Sequence, residues 1–420
     1  RRRALHLRAL DALERLLGTR AGEQAHRLTE HALRAEDWRR AARYLYLAAQ
    51  KALVWGRYEE SERCLEGVRQ AVSRQEEPRD KSLELDAYLE LWVCRIELGR
   101  TDGLEELAAS AEALAEGLHD SARLAQVRLR KAQAFWIVWD VPHALEAAVD
   151  GAREAFELSE ATDLRTRSYA RFIAGAALID LGRLEEAIIE FDRGSTLFDA
   201  GGGDDELTRP ILTSLRAWRA KALATRGRFA DALPAAREAV ALADELGHAP
   251  GRALTRAMLA EVCLMRGDFT EAASTAAAGL EISQDGFVDG IVAHSLYLAC
   301  AELARGDLRG GTERLATTLR QRNSLEPILR MWTNYGSLTA GAWLAAGDVA
   351  AAESEIDEEH RSPTLGSCDS AVTRIAALQQ ENGVGNLRAY ATDPWFCDVD
   401  SQPVAAIVSR LPGCNQYIWI

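Results

Sequence analysis

The fold class this sequence predicts is an all-α solenoid of about eight helix-turn-helix repeats, each of roughly 40 residues. Three observations predict it. Gly56, Gly99, Gly182, Gly227, Gly267, Gly306 and Gly347 each end one helical run and open another, with Trp139 where an eighth turn residue is expected; successive spacings are 43, 40, 43, 45, 40, 39 and 41 residues. Seven residues before the turn stand Ala49, Trp92, Ala132, Gly175, Ala220, Ala260, Ala299 and Ala340, small in seven of eight cases. Five residues after it come Ser61, Leu104, Ala144, Ala187, Ala232, Ala272, Gly311 and Ala352, again small in seven of eight. Two helices approach closely only where no bulky side chain intervenes, so these positions face each other across a hairpin.

The stretch 212–247 shows the unit most plainly. Two amphipathic runs, 212–226 and 228–246, meet at Gly227 and close at Gly247. Two residues after the turn an apolar side chain opens the second helix: Tyr58, Val141, Leu184, Phe229, Phe269, Leu308 and Val349, with Thr101 the exception. Neither helix can bury its apolar side alone, so the unit stacks on copies of itself.

This pattern resembles the tetratricopeptide repeat over residues 28–358, with a period longer than the standard thirty-four residues and without most of the final prolines of the consensus. Long-period repeats of this kind resemble the C-terminal region of bacterial MalT-like and cyclase-fused signalling ATPases. The run Ala4-Leu5-His6-Leu7, then Ala32-Leu33 and Trp38-Arg39-Arg40-Ala41-Ala42, is similar to the segment that follows the ATPase module in that group. The resemblance implies a right-handed superhelical stack whose first helices line a concave side, where partner peptides lie. Carried over by register from the turn residue, that side comprises Gln126, Gln133, Tyr169, Lys221, Glu261 and Asn334. Each of these also reads as ordinary polar surface.

Along the chain, residues 1–27 are an N-terminal helical segment, with Leu5, Leu10, Leu13 and Leu17 on one face of a helix ending near Gly18. Residues 28–381 are the solenoid and 382–420 an irregular tail, interrupted by Pro394, Pro403 and Pro412. Within the solenoid, the second repeat has a longer turn and Trp92 in place of a small residue, so its packing is expected to be irregular. Phe135-Trp136-Ile137-Val138-Trp139 reads either as core or as an exposed aromatic surface for a ligand, through Trp136 and Trp139. Gly201-Gly202-Gly203 is followed by acids and by no Lys-Ser/Thr, which makes it a connection and not a phosphate cradle. Pro234 falls inside a second helix, where a bend is expected unless that helix starts late. The segment 283–290 has two Asp-Gly steps but no calcium-ligand spacing, and reads as a turn. A helix over 349–360 and a capping helix over 368–380 close the stack.

Composition excludes several functions. Net charge is −14 with pI near 5.2, which argues against a nucleic-acid or anionic-membrane surface as the main role. The first 57 residues run the other way, with 13 Lys+Arg against 6 Asp+Glu; this basic end either docks a neighbouring domain or is solvated helix surface. Seven dispersed cysteines without a CxxC pair fit free thiols in the cytoplasm. The chain opens on Arg1-Arg2-Arg3 and is expected to be a piece of a longer protein. It holds no G-x-x-x-x-G-K-[ST], H-E-x-x-H or G-x-S-x-G, and no two of its eight histidines stand four residues apart. No catalytic residue, metal or cofactor is implied. The reading is a non-catalytic protein-interaction scaffold, the regulatory or sensor arm of a larger signalling ATPase that would supply the upstream ATPase or cyclase domain. A free-standing adaptor and a solenoid holding a small effector through Trp136, Trp139 and Tyr169 are the alternatives.

Overall fold

Every turn glycine among the described residues takes a left-handed backbone: Gly182, Gly227, Gly267, Gly306 and Gly347 have φ of +72° to +91°. A side chain is strained there, and the reversal lets the next amide reach back five residues. Arg183 N–H donates to Leu178 O at 2.8 Å, Arg228 to Leu223 at 2.9 Å, Asp268 to Cys263 at 2.8 Å and Asp307 to Glu302 at 3.0 Å. The computed structural model describes residues 1–54, 57–98, 100–139, 141, 143–199, 208–284, 288–323, 339, 342–343, 346–348, 350–352, 407–411 and 414–419. Gly56 and Gly99 lie outside them, but Arg57 and Arg100 close the same bond, onto Ala52 and Arg95. In the third repeat the donor is Trp139 itself, onto Ala134 at 2.7 Å, so Val138 and not Trp139 holds the glycine's place. No glycine marks that turn because Val138 does not take a positive φ.

The all-α fold is as expected, and its helices are α1 (Arg2–Leu17), α2 (Ala25–Ala35), α3 (Trp38–Val54), α4 (Tyr58–Ser73), α5 (Lys81–Glu97), α6 (Leu104–Leu118), α7 (Ser121–Ile137) and α8 (Ala144–Leu158). They continue with α9 (Leu164–Asp180), α10 (Leu184–Thr196), α11 (Arg209–Thr225), α12 (Phe229–Leu246), α13 (Ala249–Arg266), α14 (Phe269–Ser283), α15 (Val288–Ala304) and α16 (Leu308–Asn323). A 3₁₀ segment, Gly18–Gln24, joins α1 to α2. Asp80 and Asp163 start α5 and α9 by accepting the amides of Leu83 and Thr166. α12 runs unbroken through Pro234. Of the helix expected over 349–360, 350–352 are described and helical; the capping helix over 368–380 lies outside the described residues, as does the Gly201–Gly203 run. The tail is not irregular throughout: strands β1 (Ile407–Leu411) and β2 (Cys414–Trp419) pair antiparallel, Ile407 opposite Trp419.

The chain divides into two compact units. One comprises Arg1–Lys131 with Glu157–Ser159, the other Ala132–Phe156 with Glu160–Ile420. In the first, α1 through α6 pack each on the next. Trp92 is buried there, with Leu104 at the opposed small-residue position, and a cavity of ≈ 10 Å³ lies beside it among Tyr88, Leu107 and Val127. The loosened packing expected of the second repeat is thus local to that bulky pair.

In the second unit α9 through α16 pack in sequence, and α9, α11, α13 and α15, the first helices of their hairpins, also pack directly on one another. Those first helices are therefore buried on most sides. The small-residue positions explain the closeness. Ser61 Oγ donates to the Ala49 carbonyl at 3.1 Å, which joins the plus-five and minus-seven positions of one hairpin. A Cβ on Gly175 would stand 2.6 Å from the Phe191 ring, and one on Gly311 2.5 Å from Leu303. We expect Gly175→Ala to destabilise the protein by about 1–3 kcal/mol, since Phe191 is buried and must shift. Gly117→Ala, on an open helix face, should be neutral or stabilise by about 0.5–1 kcal/mol. Urea midpoints of the two variants test this, and equal shifts would remove the close-approach argument.

Candidate functional site

Successive first helices of the second unit bring charged and aromatic side chains together. Lys221 on α11 and Glu261 on α13 occupy the same register, six residues before their turn glycines. Lys221 Nζ stands 3.1 Å from Glu261 Oε1, an ion-pair distance at an angle short of a good hydrogen bond. The Tyr297 hydroxyl on α15 donates to Glu261 Oε2 at 3.0 Å. Lys221 is 2% exposed and Glu261 0%. The Trp218 ring lies 5.1 Å from the ammonium, a cation-π contact, and its indole Nε1 is buried without a partner. Charges persist at such depth only when paired and hydrogen-bonded. This corrects the sequence expectation for Lys221 and Glu261: each spends its charge on the neighbouring helix instead of presenting it on an open groove.

Beside this network lies an aromatic cluster. Trp136 donates its indole N–H to Asp180 at 2.8 Å and meets Trp218 and Phe172 edge-on, at 5.4 and 5.9 Å. At 2% exposure it is core, so it is no part of an aromatic ligand surface. Trp139 is half-buried, edge-on to Phe135 at 4.7 Å. Tyr169 stacks on Phe172 at 5.7 Å and its hydroxyl accepts from Gln133 Nε2 at 3.0 Å; both residues stay half-buried. Gln126, seven residues before Gln133 on α7, belongs to the first unit and is half-buried. Asn334 lies outside the described residues. The structure thus joins Gln133 to Tyr169 and Lys221 to Glu261. It adds Trp218, Tyr297, Phe172 and Asp180, which sequence reasoning missed. A lysine and a glutamate in one register of adjacent repeats was the available signal for the buried pair.

The titratable groups nearby are tuned by burial and not for reactivity. Burial pushes the thiols of Cys263 and Cys300 up to about 12, which keeps them protonated and unreactive. It pushes His294 on α15 down to about 4; that ring packs over Gly279 and bonds the Ala253 carbonyl through Nε2 at 3.1 Å. Among the described residues no three of His, Cys, Asp and Glu are placed to hold a metal ion, and no helix is long and apolar enough to cross a membrane.

No family model matches the sequence, and no curated protein matches it significantly. Solved structures align with the chain, and the first of those that follow shares its fold. A Rap protein complexed with competence and sporulation factor aligns with a TM-score of 0.60 at 14% identity, over 81% of this chain and 92% of that one. The signal transduction ATPase with numerous domains and a tetratricopeptide repeat sensor from Pyrococcus horikoshii aligns at 0.47 and 15% identity, over 77% of this chain and 47% of its own. Aspartyl phosphate phosphatase F from Bacillus subtilis gives 0.49 and 14%, over 81% and 93%. The fold is a tetratricopeptide-like stack of helical hairpins.

Two outcomes follow from the buried groups. Lys221→Met leaves Glu261 buried without its cation and should cost about 3–5 kcal/mol, whereas Lys221→Met with Glu261→Met should recover most of that loss. A double-mutant cycle in urea decides, and additive losses would mean the two charges are not coupled. For His294 the folded-state pKa lies below the ordinary 6.5, so the unfolded chain binds the extra proton first. Stability should therefore fall as pH drops from about 6.5 to about 4, by up to about 3 kcal/mol. His248, also depressed by burial, adds a slope of the same sign, so the measurement is the difference between His294→Gln and the unaltered protein across that window.

Proposed function

We propose that this chain is a non-catalytic interaction scaffold, the regulatory or sensor repeat region of a larger bacterial signalling ATPase in the cytoplasm, which takes a protein or peptide against the first helices of its hairpins. The observation that carries this reading is the half-exposed pair Gln133 and Tyr169, a hydrogen-bonding edge on an aromatic platform held by α7 and α9. Amide and phenol side chains of this kind recognise extended backbone without demanding one sequence. The likeness in fold to a Rap protein solved with competence and sporulation factor supports it. Two further sequence features support the larger signalling context: the long repeat period and the 4–45 segment that resembles the sequence after an ATPase module. A stack in which hairpins mainly touch their neighbours can convert an occupied surface into a changed hairpin angle. The burial of Trp136 removes one of the three aromatics, with Trp139 and Tyr169, on which a small-molecule reading depended.

A photo-crosslinking phenylalanine analogue at Tyr169 tests the surface, compared with one at the exposed Glu238 on α12. Cross-linked protein or peptide from position 169 and not from 238 is the expected result. Identical products from both positions, or none from a folded chain in cytoplasmic extract, would overturn the assignment.

A further inference from the structure

Helix α1 divides its side chains sharply between two faces. Toward the rest of the first unit it sends Leu10, wholly buried, and its polar groups. Arg3 pairs with Glu36 at 2.8 Å and donates to the Ala35 carbonyl; His6 meets His31 ring to ring, with Nδ1 atoms 3.1 Å apart. Both carboxylates of the helix are used on this side. Asp11 and Glu14 hold Arg40 at 2.6 and 3.0 Å, and Glu14 also accepts from the Tyr44 hydroxyl.

The outward face has a different chemistry. Leu5, Ala9, Ala12 and Leu16 follow at intervals of four, three and four residues, which places them in one stripe. Leu5 is 57% and Leu16 76% exposed, the latter the most exposed large apolar side chain among the described residues. Arg1, Arg8 and Arg15 run along one edge at seven-residue intervals, and Arg2 lies on the other. Among the described residues none of these four arginines has a carboxylate partner; Arg15 donates to the Asp11 carbonyl. Some exposed arginines elsewhere are paired within their own turn, as Arg34 is by Glu30, Arg183 by Glu186 and Arg228 by Asp231, while others such as Arg43, Arg193 and Arg216 stand singly and not in a row beside an apolar stripe.

Leucine and alanine at heptad spacing beside a row of arginines make half of a two-helix coil. We infer that the outer face of α1 docks an acidic amphipathic helix of a partner protein, with leucines set against Ala9 and Ala12 and carboxylates along the arginine row. The small residues at the centre of the stripe favour a second backbone over lipid, since they permit close approach and give little apolar area to a bilayer. A second copy of α1 would set arginines against arginines. This surface is separate from Gln133 and Tyr169 and does not depend on them.

The test titrates the full chain with a synthetic helix of about 21 residues, three heptads, carrying leucine in the seam and glutamate at the flanks, beside the same peptide with lysine for glutamate. The glutamate peptide should bind more weakly as salt rises, and the lysine peptide should not bind. Leu5→Glu with Leu16→Glu should weaken binding about tenfold or more without moving the thermal melt, because both side chains are exposed. Arg8→Glu with Arg15→Glu should reverse the preference toward the lysine peptide. The inference falls if the folded chain ignores the glutamate peptide, or if the leucine variants bind it unchanged. It also falls if the chain floats with phosphatidylglycerol vesicles through these residues, or forms a dimer that the same substitutions abolish.

Discussion

The distance between the two helices of each hairpin governs what the rest of this molecule can do. Ser61 Oγ on the Ala49 carbonyl, Gly175 under the Phe191 ring and Gly311 under Leu303 all mark backbones too close to admit a larger side chain. Close hairpins leave first helices free to pack directly on first helices in the second unit, and that packing encloses them. Charged groups on those helices then find their partners inside. Lys221, Glu261 and Tyr297 do so across three successive hairpins, and Trp136 does so through Asp180.

How much of this was legible follows from which constraint each residue answers to. The turn glycines and the small residues around them answer to backbone geometry, which leaves a fixed spacing in the sequence; the five described turn glycines have the left-handed φ that spacing requires. The Val138 turn was misplaced by one residue because no glycine announces it. The candidate site answers to rotation about the helix axis and to the neighbouring repeat. Lys221 and Glu261 stand six residues before their turn glycines and both lie in the core, whereas Gln133, counted from Val138, stands five before its turn and is half-buried. The complementary charge at Glu261, one repeat after Lys221, is a relation between repeats that no single repeat contains. The hairpin of β1 and β2 was missed because 407–419 has no apolar/polar alternation to mark a strand, and Pro412, between the two strands, reads as a break.

Charge in the first unit is used as a fastener between elements. Burial alone would lower the pKa of Arg40, yet the hydrogen bonds it donates to Asp11, Asp37 and Glu14 raise it above its ordinary range. Arg123 bridges Asp86 on α5 and Asp120 before α7 in the same manner. Each such arginine consumes carboxylates, and on α1 it consumes both that the helix owns. Part of the positive excess of the first 57 residues is therefore carried by the unpaired arginines of α1, and part by exposed Arg20, Arg27, Arg39 and Arg43 on other elements.

The two kinds of contact between first helices differ in what it takes to disturb them. A change of angle between α11, α13 and α15 moves Glu261 against Lys221 and Tyr297 together, and separating a buried charge from its partner costs several kcal/mol. The hydrogen bond between Gln133 and Tyr169 is neutral and half-exposed, and its loss costs about 1 kcal/mol because water replaces the missing partner, but the same two helices also meet through the buried Trp136 indole on the Asp180 carboxylate. Of the ion pair and the hydrogen bond between Gln133 and Tyr169, the buried ion pair is therefore the costlier to part. The placement of charge, more than the repeat itself, sets that difference.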